Sequence, residues 1–457
     1  MSPITITALV VFAITYVLML AFQKIRPHVT VASAIIFIAL GIISVASPNL
    51  FGEGFFALDS GTYSYGLSQA LSEIDWNVIM MIAGTMGTVY LFIESKMPQL
   101  MSDILISKMP NMKWAVVAMS LFAGIVSAFV DNVATVLMIA PVALAFCKKL
   151  DVSPVASIIC IAVSSNLQGA ATLVGDTTSI LLAKSVNLDF SDFFVDEGKP
   201  GMFWIVEAGA LVSALIILFM FRKENTKISF NSRTKVEDKF PTFLLVGTVV
   251  ALIAVSFIPY KDGAAEGQFY KPDITNGIIC IAFFLVGIIR ELLIKKNTEI
   301  VKNAFKEIDY YTIVLLTGLF VVIDGVKSAG VIDVIGGAIA SLGSGSPFIV
   351  FTIIVWMSVI LSAFIDNIPY TATMLSVVPV IAMDLGIEPK LLYYGLLCGA
   401  TLGGNLTPIG ASANITGIGI LRKEGYEVKS TTFMKYGVPF TLAAVITGYL
   451  LLWVIWK

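Results

Sequence analysis

The stretch Ser127-Ala128-Phe129-Val130-Asp131-Asn132 recurs 235 residues later as Ser362-Ala363-Phe364-Ile365-Asp366-Asn367. The same interval pairs Pro154 with Pro389 and Leu173-Val174-Gly175 with Pro408-Ile409-Gly410, and Glu73-Ile74-Asp75-Trp76 returns as Glu307-Ile308-Asp309-Tyr310 at 234. A repeat of this length means two copies of one structural unit. Both Asp-Asn pairs interrupt apolar blocks, 113–147 and 347–383, that are too long for one helix across a bilayer. The blocks that follow, 154–184 and 389–420, are broken by Gly, Pro, Asn, Thr and Asp.

The solvent around these blocks is lipid. Hydrophobic residues make up 57% of the chain and charged ones 13%, with a mean hydropathy of +0.91. A net charge of -2 without a basic block gives no footing for nucleic acid. Four scattered cysteines (Cys147, Cys160, Cys280, Cys398) read as small buried hydrophobes, and the single histidine, His28, excludes a histidine-based metal site. No phosphate-binding loop is present, so the energy for any transport comes from a gradient or a partner. The first apolar stretch lacks a basic start and a cleavage site, and is taken as a span.

Ordinary spans are expected near 4–22, 29–47, 76–93, 202–222, 241–258, 273–294, 309–325 and 433–455. With both long blocks folded as re-entrant hairpins, five crossings separate the copies, an odd number that turns one upside down. The fold class read from the sequence is an all-α membrane protein of two inverted-topology repeats. It has about ten transmembrane helices, two re-entrant hairpins and two broken helices. The copies span 1–222 and 241–457, joined by a charged linker at 223–240. Placing both termini outside assigns 22 of the 29 Lys and Arg residues to cytoplasmic segments, as the positive-inside rule asks. The expected location is the inner (plasma) membrane.

Inverted repeats with helices broken at matching positions are the mark of secondary transporters, whose sites lie near the midplane where the breaks meet. Unpaired backbone at that depth survives only beside protein or a water-filled cavity. The hairpin turns offer Asp131, Asn132, Asp366 and Asn367. The first break offers Thr172, Gly175, Asp176, Thr177 and Thr178, and the second Asn405, Thr407, Pro408, Gly410, Ser412 and Asn414. Carboxylates, hydroxyls, amides and freed carbonyls suit a hard cation. Sodium or a proton at the two turns is the ligand expected, with no resident metal and no other cofactor. The bland reading of Asp131 and Asp366, and of Asp176, is helix capping, to which Asp is well suited. An ionisable cap is costly in lipid, however, when Ser or Asn would serve. Two unscreened charges about 6 Å apart at an effective dielectric of about 20 repel by roughly 3 kcal/mol, which favours a bound cation or retained proton over a polyanion. Gly399, Gly403 and Gly404, with Pro369 and Tyr370, read as packing positions. Asp324, Glu94 and Glu207 read as interfacial acids.

The blocks Phe129-Val130-Asp131-Asn132-Val133-Ala134-Thr135, Thr172-Leu173-Val174-Gly175-Asp176, Phe364-Ile365-Asp366-Asn367-Ile368-Pro369 and Gly403-Gly404-Asn405-Leu406-Thr407-Pro408-Ile409-Gly410-Ala411-Ser412-Ala413-Asn414 carry a resemblance. They resemble the ion transporter superfamily, in particular its arsenite permease and P protein (pink-eyed dilution) branch with a citrate-transporter-like domain. The resemblance spans nearly the whole chain. It implies homodimers in which hairpins and broken helices slide, elevator-like, against a scaffold. The dicarboxylate branch carries Ser-Asn-Thr at both turns, where this chain has Asp131-Asn132-Val133 and Asp366-Asn367-Ile368. The sodium/proton antiporter block Gly-Asp-Val-Thr-Thr is similar to Gly175-Asp176-Thr177-Thr178-Ser179.

The expectation is a gradient-driven permease exchanging protons or sodium for a small inorganic ion, with Asp131 and Asp366 as coupling acids. Export of arsenite or antimonite and sodium-coupled uptake of a citrate-like acid are alternatives. An intramembrane aspartyl protease is the rival from another class, although its Gly-x-Gly-Asp block is absent. A passive channel is the third.

Overall fold

The computed structural model describes residues 1–58, 61–227, 233–236, 238–261, 269–343 and 345–457. Nearly everything described is helix. In chain order the helices are α1 (Pro3–Ala21), α2 (Arg26–Ala46), α3 (Leu67–Ser72), α4 (Trp76–Glu94), α5 (Met97–Ser107), α6 (Met112–Ser127), α7 (Asn132–Lys149), α8 (Val155–Gly169), α9 (Thr177–Val186) and α10 (Met202–Met220). After the charged segment come α11 (Phe240–Ser256), α12 (Thr275–Leu293), α13 (Thr298–Lys306), α14 (Tyr310–Ser328), α15 (Val331–Leu342), α16 (Pro347–Ser362), α17 (Asn367–Leu385), α18 (Lys390–Gly403), α19 (Ser412–Lys423) and α20 (Ser430–Trp456).

The seven helices from α4 to α10 recur in order as α14 to α20, so two inverted-topology repeats carry the fold. Among the described residues nine helices are long and apolar enough to cross a membrane, or ten if bent α15 and α16 form one span. At 16 and 15 residues, α6 and α8 rise only about 24 and 22 Å, short of a full crossing, as arms of a hairpin and a broken helix should be. Their starts are chemically written. Asp75 and Asp309 accept the third amide of the helices they cap, Val78 and Thr312, each at 3.0 Å.

Four short helices, α3, α5, α13 and α15, were not foreseen. The sequence reading left 94–113 and the segment before 347 as connections, yet α5 and α15 lie there. Both are short and start behind a left-handed residue (Lys96, φ 60°; Gly330, φ 72°), and each carries one acid, Asp103 buried on α5 and Asp333 exposed on α15. Hydropathy averaged over a span length misses such helices.

Contacts cross between the copies. Helix α4 packs on α12 and α14 on α2 through glycines: a Cβ at Gly84 would lie 2.4 Å from the Cys280 backbone, and one at Gly318 2.9 Å from the Thr30 backbone. Helices α6 with α8, and α16 with α18, pack inside their own copies, where Gly399 and Gly403 meet the backbones of Val355 and Val359. The broken helices interleave, α19 against α7 and α8, and α9 against α17 and α18. From the charged segment, Thr234 and Asp238 reach the helices. Thr234 donates to Asp103 through both its amide and hydroxyl, each at 2.7 Å. Against the penalty of burial, hydrogen bonds from Arg290 and Lys295 pull the Asp238 carboxyl down to about 2.

In each copy a glycine lets backbone meet backbone where the broken helix reaches its hairpin. A Cβ at Gly175 would stand 2.5 Å from the Gly169 carbonyl oxygen and 2.7 Å from that of Ser127, whereas one at Gly419 meets nothing within 4 Å. Gly175→Ala should therefore destabilise the purified protein by about 1–3 kcal/mol, seen as a lower Tm in detergent, while Gly419→Ala leaves Tm unchanged.

Candidate functional site

Each hairpin turn is clipped to the break of its own copy in the same way. The Thr172 hydroxyl donates to the Ala128 carbonyl, and 235 residues on the Thr407 hydroxyl donates to the Ala363 carbonyl at 2.5 Å. Gly175 lies against the carbonyls of Ser127 and Ala128, and Gly410 against that of Ala363. These threonines and glycines hold backbone to backbone. Thr172, Thr407, Gly175 and Gly410 thus shape the site, and Pro408 lies half-buried in the second break.

An amide chain runs between the two copies. Asn132 Nδ2 donates to Asn166 Oδ1 at 3.1 Å, and Asn166 Nδ2 donates to the Thr401 carbonyl at 2.8 Å and to Asn405 Oδ1 at 3.2 Å. Asn405 Nδ2 closes the chain on the Val163 carbonyl at 2.8 Å. Beside it, Thr178 donates to Asp176 Oδ2 at 2.8 Å and shares a 3.1 Å hydrogen bond with Thr401. Asn367 Nδ2 stands 3.5 Å from the same Asp176 oxygen, which brings the second turn to the first break. Asn414 donates to the carbonyls of Gly404 and Thr407 at 3.1 and 3.2 Å, while its Oδ1, like Ser179 Oγ in the matching position of the first copy, is buried without a protein partner.

A cavity of about 230 Å³ opens over this junction, lined by Asp131, Asn132, Asp176, Thr177, Asn367 and Ser412. Its outer wall is Ile82 to Ile93 of α4 with Glu307, Asp309 and Thr312 at the head of α14. Four carboxylates face it, and among the described residues no Lys, Arg or His lines it.

The capping expected of the turn acids is present and unequal. Asp131 Oδ1 accepts the amides of Val133 and Ala134 at 3.0 and 3.1 Å. Asp366 Oδ1 accepts only Ile368 N, at 3.1 Å, and its Oδ2 is bound by Arg26 Nη1 at 2.7 Å. Asp176 stands at the N-cap of α9 without capping it, its carboxylate engaged by Thr178. Of the sequence candidates, six line the cavity. Thr178, Asn405 and Asn414 form a polar layer behind it, and Asp366 is turned to Arg26.

Asn166, Thr401 and Arg26 were missed. The repeat contained a signal for the first two, since 166 and 401 are 235 apart and flank the breaks, but their side chains differ and the match is silent in a residue-by-residue comparison. Arg26 read as one more basic residue at a span end.

With the geometry in place, comparison with known proteins decides the family. A model described as citrate transporter (CitMHS) matches residues 16–399. The chain belongs to the citrate transporter family. Its relatives include the 46 kDa membrane protein of Mycobacterium leprae, 26% identical over 455 residues and 98% of each chain. The human P protein is 25% identical over 452 residues, covering 84% of this chain and 54% of that protein. Among solved structures, the YdaH transporter of Alcanivorax borkumensis, described as having an unusual topology, aligns over 94% of this chain and 97% of its own at TM-score 0.60 and 15% identity. MtrF of Neisseria gonorrhoeae, described among antimetabolite efflux pumps, aligns over 93% and 94% at TM-score 0.56 and 16% identity. This family member is a multi-span membrane transporter, and family and fold point to a permease rather than an enzyme.

Asn166→Ala would strand three buried partners. It should lower stability by roughly 1–3 kcal/mol in detergent unfolding, because each stranded group keeps its desolvation penalty. Thr242→Ala, which removes a buried hydroxyl that has no partner, should be close to neutral.

Proposed function

We propose that the chain is a secondary-active permease that couples protons or sodium to the movement of a small inorganic ion, with proton-for-sodium exchange as the first reading. The observation that carries it is the cavity where turns and breaks of both copies converge, faced by four carboxylates and, among the described residues, no basic side chain. Like charges gathered away from bulk water repel unless a cation or proton lies between them. A free di- or tricarboxylate would meet the same charges with the wrong sign, which argues against a citrate-like acid entering alone.

Asp131 and Asp176 serve as the coupling acids at this cavity, with Asn132, Asn367, Thr177 and Ser412 completing the shell. Asp366 is the third coupling acid, on the other turn. Thr178, Asn405 and Asn414 hold the shell in register, and the unpartnered Asn414 Oδ1 supplies a further acceptor for a hard ion. The two copies, 1–222 and 241–457, are the units of an elevator-type cycle. Hairpins and broken helices move against α2, α4, α12 and α14, within a homodimer in the plasma membrane. The basic-residue bias puts both termini outside and the head of α14 on the cytoplasmic side, so the cavity faces inward.

Proteoliposomes with an entrapped pH dye test this reading. An imposed sodium gradient should drive proton movement in the opposite direction, and Asp131→Asn combined with Asp366→Asn should abolish it. Unchanged proton flux in the double variant would refute the coupling assignment. Flux of arsenite without any sodium or proton dependence would favour the metalloid alternative.

A further inference from the structure

Asp131 and Asp366 hold matching places in the two copies but do not share an environment. The Asp131 carboxylate faces the cavity, with one oxygen spent on two backbone amides. Asp366 is not among the lining residues, and both its oxygens are engaged, one by Ile368 N and the other by the Arg26 guanidinium at 2.7 Å. Arg26 is only 7% exposed, and its Nε is fixed by the Met19 carbonyl at 2.9 Å. Tyr311 at the head of α14 lies within electrostatic reach of both Arg26 and Asp366, with Asp309 beyond it, and Asp176 from the first break lies within reach of Asp366.

The packing of the copies shows that this guanidinium has no counterpart. Gly84 meets Cys280 as Gly318 meets Thr30, and Gly287 meets Leu91 as Gly325 meets Phe37. Both pairs set a correspondence of 250 residues between α2 and α12, which places the neutral Asn276 opposite Arg26. Among the described residues one turn is thus served by a tethered cation and the other by none.

We propose that the Arg26 guanidinium occupies at the second turn the position that a coupling cation takes at the first, and that it expels the cation from Asp366 whenever the cavity opens on this side. The inference rests on the cation-coupled reading above and assigns Arg26 as a positioning residue for release. Arg26 belongs to α2, which packs on α14, whereas Asp366 belongs to the α16–α17 hairpin. Movement of the hairpin past α2 parts the pair and leaves a carboxylate with no counter-charge, which then takes sodium or a proton from the opposite side. Return brings back the guanidinium, and the small ion leaves. A buried carboxylate cannot hold two cations as readily as one, so the tethered one displaces the mobile one.

The test uses the full chain in proteoliposomes, with radiolabelled sodium to read exchange at equal sodium on both sides and an entrapped pH dye to read net proton movement driven by a sodium gradient. Arg26→Gln should keep exchange, because Asp366 then shuttles with its cation bound, while net flux falls by about tenfold or more. Arg26→Lys, which retains the charge, should keep the ratio of net flux to exchange within about twofold of the parent. A parent-like ratio in Arg26→Gln, or equal loss of both signals in a variant with parent Tm, overturns the inference alone. If Arg26→Gln does not reconstitute, a tenfold fall of the ratio in Arg26→Lys overturns it instead. A parent chain with neither signal overturns the cation reading and this inference with it.

Discussion

Everything at the centre of this molecule depends on seating a hairpin turn against the break in its neighbouring helix. Backbone freed from helical hydrogen bonding is costly within a bilayer, and four such segments meet here. The protein meets that cost twice with one device: a threonine hydroxyl given to the carbonyl before the Asp-Asn turn, and a glycine that lets the two backbones touch. The Asp and Asn side chains add to this, Asp131 and Asp366 by accepting turn amides and Asn166, Asn405 and Asn414 by donating to carbonyls. Between the copies, the amide chain from Asn132 through Asn166 to Asn405 fixes one copy's turn relative to the other's break.

Much of this was legible in the sequence because the repeat printed it twice. Pro154 and Pro389, Gly175 and Gly410, Thr172 and Thr407 sit at one spacing, and a helix broken at the same place in two copies has a structural reason. The capping role of the turn acids was also legible. What failed were features that the repeat does not share or that hydropathy does not record. The ion pair of Asp366 lies across 340 residues, from a residue whose charge already had a topological explanation. The helices α5 and α15, at 11 and 12 residues, are too short to register as spans.

The same comparison shows where the two near-symmetric copies differ. Asp176 has Ala411 as its counterpart, Thr178 has Ala413, and Arg26 has Asn276. The scaffold of clips and glycines is duplicated, as are the turn acids Asp131 and Asp366, while Asp176 and Arg26 are charges of one copy alone. The family relationship supplies transport as the activity, and the acidic cavity narrows the sign of what is bound.

The central claim is that a cation and protons compete for the carboxylates of this cavity. It is tested most directly by adding sodium to the detergent-purified chain in weak buffer and following proton release with a pH indicator, choline serving as control. The account predicts saturable proton release with sodium but not choline, lost when Asp131 and Asp176 are both replaced by Asn. No release with sodium at any pH between 5 and 9 (a range wide enough to cross the titration of a perturbed carboxylate), or release unaffected by those replacements, would contradict it.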